Sequence, residues 1–185
     1  MHYKLITPPE TYPVTVNEVK EALGYYCDED NDKIEAYIAA AVDYAQDYQR
    51  KRVYVAQTWE LYLNSFSNKI ELPKIPVQNI ESITCKDSTG TETTIDAADY
   101  ILSNEGYIVP AYGKYWPSFT PFPVEPITIR FVAGYAEVDD IPDKIKQAII
   151  LLVKYFDYVD LHGADKIADS VLQAAERLLW MDRAW

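Results

Sequence analysis

Apolar positions along this chain follow a helical period at both ends and a two-residue period in the middle. After an extended start, ITPPETYP, Thr15 stands three residues before Glu18. That is the spacing of a capping box, and it predicts a first short helix running to about Tyr25. From Ile34 the apolar residues recur at Tyr37, Ile38, Ala41, Tyr44, Ala45 and Tyr48, which predicts a second helix ending near Arg52. In TWELYLN the period becomes two. Trp59, Leu61 and Leu63 alternate with Thr58, Glu60 and Tyr62, as in a strand with one buried face. KIEL, NIESITCKD, TETTIDA, DYILS and GYIV are further strand candidates, with STG at 88–90 as a hairpin turn at Gly90. PITIRFVAGY closes the series, with Ile127, Ile129 and Phe131 set against Thr128 and Arg130.

Helical spacing then returns. Pro142 suits the first position of a helix, with Asp143 after it. Ile145, Ala148, Ile149, Leu152, Val153 and Phe156 make so broad an apolar face that 142–160 is expected to be the most buried helix. His162–Gly163 interrupts the pattern, and a last helix carrying Ile167, Val171, Leu172, Leu178 and Leu179 runs nearly to the end. The expected fold class is α+β: a helical core of two N-terminal and two C-terminal helices with an inserted antiparallel β block. The expected division is a single domain over 1–185, with N-terminal helices in 1–56, a β insertion in 57–135 and C-terminal helices in 136–185.

The acidic stretch CDEDNDKIE, residues 27–35, has two readings. Asp28, Asp30 and Asp32 fall at the first, third and fifth places of a calcium loop. The sixth and twelfth places, which need Gly and a bidentate Glu, hold Lys33 and Ala39. The helical reading uses more of the residues: Asp32 as N-cap with Glu35 three places on, and acids at the positive end of the helix dipole. A solvated turn and cap is therefore expected, and no metal or other cofactor.

Composition narrows the class. A chain of 185 residues with 49% hydrophobic residues and six glycines is that of a globular protein. No apolar run reaches the length of a membrane span, and MHYKLITPPE lacks the apolar core of a signal peptide, so folding in a cytoplasm is expected. Cys27 and Cys85 are too few for a disulfide scaffold and read as buried or half-buried thiols. The formal charge of −12 argues against a grip on phosphates, although it suits a protein that surrounds DNA without holding it. The densest basic cluster, Arg50–Lys51–Arg52, falls where a helix C-terminus is expected.

Sixteen tyrosines are the most unusual feature, a residue type enriched at interfaces. Residues 110–126, PAYGKYWPSFTPFPVEP, hold five prolines and five aromatics and predict a long ordered loop. Tyr112, Tyr115, Trp116, Phe119 and Phe122 are the candidate interface; packing of the same rings on the β block of their own chain is the alternative. No catalytic residues are identified. His2 lies in a terminus expected to be loose and His162 at a helix break, and neither belongs to a zinc motif. The glycines (24, 90, 106, 113, 134, 163) form no phosphate loop, and no Gly-x-Ser-x-Gly elbow occurs. Acid pairs are plentiful, but 29 acids place some together by chance, so a carboxylate hydrolase is a distant alternative.

Four blocks, PPETYPVTVNEVKEAL, DNDKIEAYIAAAVDYAQDYQRKRVYVAQTWEL, ELPKIPVQNIESITCKDSTGTETTIDAADYIL and ITIRFVAGYAEVDDIPDKIKQAIILLVKYFDY, occur in an order and spacing that resemble the head–tail connector family of long-tailed bacteriophages. Its members are also called head-completion or neck adaptor proteins, or, from prophages, DNA-packaging proteins. The resemblance runs from about residue 8 to residue 158. It is most specific at Thr58–Trp59 after the second helix and at Ala133–Gly134–Tyr135 before Ile141–Pro142. It departs at YVDLHGADK, where an arginine-bearing segment is usual, and in the aromatic richness of 110–126. The resemblance implies a structural virion protein, not an enzyme: a homo-oligomeric ring of about a dozen subunits. The ring would sit in the virion neck under the portal protein, assembled in the host bacterial cytoplasm. It would extend the DNA channel without sequence-specific binding and offer a platform to a tail or stopper protein. Another phage tail or baseplate assembly component is the alternative within the same class. No membrane contact is implied.

Overall fold

The alternation in TWELYLN and ITIRFVA builds the centre of an antiparallel sheet. The computed structural model describes residues 2–25, 30–181 and 183. Its strands are β1 (His2–Thr7), β2 (Gln57–Leu63), β3 (Ile70–Glu71), β4 (Val77–Lys86), β5 (Glu92–Thr94), β6 (Tyr100–Leu102), β7 (Tyr107–Pro110) and β8 (Ile127–Ala133). Five of them form one sheet in the order β1-β2-β8-β4-β5, with every neighbouring pair antiparallel. On one face, Trp59, Leu61 and Leu63 stand opposite Phe131, Ile129 and Ile127. Ile80, Ile83 and Cys85 meet the same three residues from the other side. The alternate residues, Glu60, Arg130, Ser82, Tyr62, Thr128 and Thr84, make the polar face, as expected of an antiparallel sheet buried on one side.

A three-stranded sheet, β3-β7-β6, lies in the same excursion of the chain. The β6–β7 turn requires glycine. Gly106 has φ +81°, and a Cβ there would come within 2.6 Å of the Ile75 side chain. The β4–β5 turn is the one expected at STG, closed by Asp87, which accepts from the backbone N–H of Thr89 at 2.8 Å and of Thr91 at 3.0 Å.

Helices α1 (Val16–Leu23), α2 (Asn31–Gln49), α3 (Asp143–His162) and α4 (Lys166–Trp180) pack on one another. The capping box opening α1 is complete: Thr15 Oγ1 accepts from the Glu18 N–H at 3.2 Å, and the Thr15 N–H donates to the Glu18 carboxylate at 2.6 Å. These bonds from Thr15 hold the Glu18 carboxyl below its ordinary pKa. Ile34, Ile38, Ala41, Val42 and Ala45 of α2 are buried, as are Ile145, Ala148, Ile149, Leu152 and Val153 of α3. Burial of 142–160 is therefore matched by α2, and Phe156 is only half-buried. At its C-terminal end α2 is tied to α4 by the buried Gln49, which donates to the Leu179 carbonyl at 2.7 Å and accepts from the Tyr54 hydroxyl at 2.8 Å. The small buried residues Ala168 and Ala175 allow α4 a close approach.

Four expectations are corrected. Asp32 is not the N-cap of α2: the helix starts at Asn31, so Asp32 lies inside the first turn, where it meets the dipole instead. The cap position is Asp30, whose side chain makes no capping bond. The same helix ends at Gln49, short of Arg52, because Arg50 turns to φ +67°. Pro142 precedes α3, with an extended ψ of 133°. His2 is not in a loose terminus. Residues 2–7 pair with β2, and the His2 ring stacks on Tyr62 at 5.7 Å. Part of the acidic stretch, residues 26–29 with Cys27 and Asp28, lies outside the described residues.

The elements form two compact units. Met1–Pro9 with Ala56–Ala136 carries both sheets, and Glu10–Val55 with Glu137–Trp185 carries the four helices. No helix among the described residues is long and apolar enough to cross a membrane. The class is α+β.

Ile149 is fully buried, so Ile149→Asp would leave a charge with no partner in the helical unit; a cost above about 4 kcal/mol is expected in urea unfolding. Thr15→Ala removes one half of the α1 cap and is expected to cost about 1 kcal/mol in the same assay.

Candidate interaction surface

Proline denies the segment between β7 and β8 a regular ladder, yet its backbone is bonded at both ends. Ala111 N–H donates to the Asp99 carbonyl at 2.9 Å, and Lys114 N–H to Ala111 at 2.9 Å around Gly113. Further on, the loop runs beside the end of β4. Ser88 N–H donates to Thr120, Phe122 N–H to Lys86, and Lys86 N–H to Pro126, at 2.9, 3.0 and 2.7 Å. The expected ordered loop is present.

The five candidate rings divide into two groups. The Trp116 ring stacks on Phe66 with centroids 4.7 Å apart and planes 7° from parallel, and its indole N–H donates to the Ser67 carbonyl at 2.8 Å. Phe119 meets Phe66 edge-on at 6.4 Å. Phe122 lies under the Lys86 ammonium, 5.2 Å from its ring centre. All three have partners in their own chain, although Phe122 keeps a relative exposure of 36%. Tyr112 and Tyr115 stand bare: their relative exposures are 102% and 89%. Between them, Lys114 pairs with Asp99 at 2.7 Å, which fixes the base of the turn and raises the Lys114 pKa. The loop is thus an anchored finger that leaves two tyrosines bare.

Phe66 was not among the sequence candidates. It sits in the β2–β3 connection, remote in sequence from Trp116, and its only local signal is an aromatic in the polar run NSFSN. Beside it lies an open hollow of 230 Å³ lined by Asn64, Phe66, Pro117, Phe119, Pro121 and Ile127.

The polar face of the larger sheet carries a compact charged group. Arg130 donates to Glu60 at 2.8 Å, and the Tyr62 hydroxyl donates to the same carboxylate. Burial works to raise the Glu60 pKa, but the bonds from Tyr62 and Arg130 outweigh it and hold the carboxyl low. The bond to Glu60 pushes Tyr62 up to about 12. Every polar partner here is consumed by another, which is the arrangement of a structural cluster. Burial pushes the Cys85 thiol up to about 11, so it is a poor nucleophile at neutral pH. Among the described residues no group of three or more His, Cys, Asp or Glu is placed to hold a metal ion.

The family model for the head completion protein matches residues 14–168. The chain belongs to that family. The resemblance read from the four sequence blocks is borne out. No curated protein matches the chain. Among solved structures, the head completion fold recurs in a chain of the virion of a native gene transfer agent (GTA) particle, at 23% identity and a TM-score of 0.75 over 96% of this chain and 95% of that one. It recurs in the neck of the empty GTA particle computed with C6 symmetry, at 21% identity, TM-score 0.73 and the same coverage. A third case is the neck of the native GTA particle computed with C12 symmetry, at 22% identity and TM-score 0.74, over 96% of this chain and 94% of that one. The aromatic finger lies inside the family match, whereas β1 and most of α4 lie outside it.

Trp116→Ala is expected to destabilise the protein by about 2 kcal/mol, below the roughly 3–5 of a fully buried large ring because Trp116 is only half-buried. Thermal melting of the isolated chain reads it directly.

Proposed function

We propose that this head completion protein is a structural adaptor of the neck. Its subunits form a ring under the portal that extends the DNA channel and presents a docking platform to the tail. Family membership over residues 14–168 carries the reading. Support comes from solved chains of the same fold in two structures of GTA necks, computed with C6 and C12 symmetry. The charge of −12 adds to it, since a negative wall repels phosphate and lets DNA slide past. The role is non-catalytic, with assembly contacts as its chemistry.

Within this reading the finger is a contact with a neighbouring subunit or partner. Prolines and the Phe66–Trp116 stack hold it in shape before it binds, so little entropy is lost on docking. Tyr112 and Tyr115 then contribute large area with few rotors.

Native mass spectrometry of the chain alone and mixed with its portal is expected to show a closed ring or a portal-bound ring. A chain that stays monomeric in both, at concentrations well above micromolar, would overturn the adaptor reading. The double variant Tyr112→Ser/Tyr115→Ser is expected to keep the wild-type melting temperature while weakening assembly at least about tenfold. A tenfold loss corresponds to about 1.4 kcal/mol.

A further inference from the structure

The larger sheet has two open edges of different character. β1 is exposed at all six residues, HYKLIT, and pairs only with β2. Tyr3, Leu5 and Ile6 keep relative exposures of 44%, 37% and 37%. At the other side of the same sheet β5 is exposed at all three residues and pairs only with β4. A bare edge is a row of unsatisfied backbone donors and acceptors, a template for another strand.

We infer that β1 of one copy pairs with β5 of the next, so that the sheets of adjacent subunits join edge to edge around the ring. The inference rests on the ring reading above and names the contact that closes it. Three observations select a second copy of this chain as the occupant. First, the sheet has five strands, each antiparallel to its neighbour. Four reversals separate β1 from β5, so the two edges run in the same direction. Copies related by a small rotation about a ring axis then meet with β5 and β1 parallel, a head-to-tail contact that repeats instead of ending in a dimer. Second, the charges match. β1 carries Lys4, which faces Glu60 of its own chain across the sheet, and no carboxylate, whereas β5 carries Glu92 and no cation. Pairing β1 with a second β1 would set Lys4 near Lys4, which opposes the two-fold alternative. Among the described residues Glu92 pairs in its own hairpin with the half-buried Lys86, 3.4 Å away, a weak pair that leaves the carboxylate open to another cation. Third, the faces continue. The cross-strand register places Lys4 on the polar face with Glu60, Arg130, Ser82, Thr84, Thr94 and Glu92, so joining the edges keeps polar with polar.

Cysteine pairing tests the contact. Lys4→Cys is combined in one chain with Glu92→Cys or with Thr94→Cys, the rings are assembled alone or on the portal, and mild oxidation is followed by denaturing electrophoresis. The expected result is a ladder of covalent oligomers from one of the two pairs, absent from each single variant; the singles control for the native thiols. A charge exchange provides a second reading. Lys4→Glu sets a second carboxylate opposite Glu60, so assembly is read well below the variant's melting temperature; it should fall severalfold at low salt, and adding Glu92→Lys should restore it. Rings that form normally but give no ladder, and are indifferent to Lys4→Glu, would overturn edge pairing while leaving the adaptor reading intact. Cross-linked dimers from Lys4→Cys alone would overturn it in favour of a β1–β1 contact. Failure to form any ring would overturn both readings together.

Discussion

The pairing of β8 on both its sides is the constraint on which the β unit depends. Ile127, Ile129, Phe131 and Ala133 are buried to within 1% and fill the middle of the larger sheet, with β2 and β4 hydrogen-bonded to either side. Yet β8 is the last strand of the unit in the sequence, more than sixty residues after β2. The two flanking strands cannot meet their partner until the whole excursion has been made, including the small sheet and the proline-rich loop. Such long-range closure is slow and entropically costly, so it depends on a well-packed centre. The alternate side chains Ile127, Ile129 and Phe131 on the buried face of β8 supply it.

The loop before β8 follows from the same constraint. Its far end is fixed because Pro126 accepts from Lys86 where β8 joins β4. Its near end is fixed at Asp99. Between these points the chain is longer than the gap and is laid down on Phe66 by Trp116 and Phe119. Packing some rings inward is what lets others stand outward without collapse. Tyr112 and Tyr115 stay exposed beside the Lys114–Asp99 pair and the anchored Trp116.

Electrostatics divides the molecule's polar groups into those consumed internally and those left over. Glu60, Arg130 and Tyr62 satisfy one another on the sheet, and Asp157 accepts from Tyr25 at 2.7 Å between the helices. Other carboxylates close caps and turns or meet a lysine, as Glu18, Asp87 and Asp99 do, and 29 acids against 17 lysines and arginines leave the chain its excess of negative charge. In the proposed ring, attraction between subunits therefore comes from backbone edges and aromatic tips, with charge acting mainly to choose which edge meets which.

The sequence alone determined the element types and the fold class. Period, capping residues and turn residues are local signals, and each of the seven strands and four helices expected from them is present. It also singled out the aromatic loop and the family, because order and spacing of blocks are properties of the chain. Tertiary structure decided what local signals do not carry. β1 is a short segment without a buried face of its own, so only its pairing with β2 makes it a strand. The boundary at Gln49 depends on a side chain buried against Leu179, at the other end of the sequence. The division of the five loop aromatics into anchors and bare tips turned on Phe66, whose meeting with Trp116 no period or motif encodes. Contacts between residues far apart in sequence are set by how the elements pack, and packing is where the free energy of burial is decided.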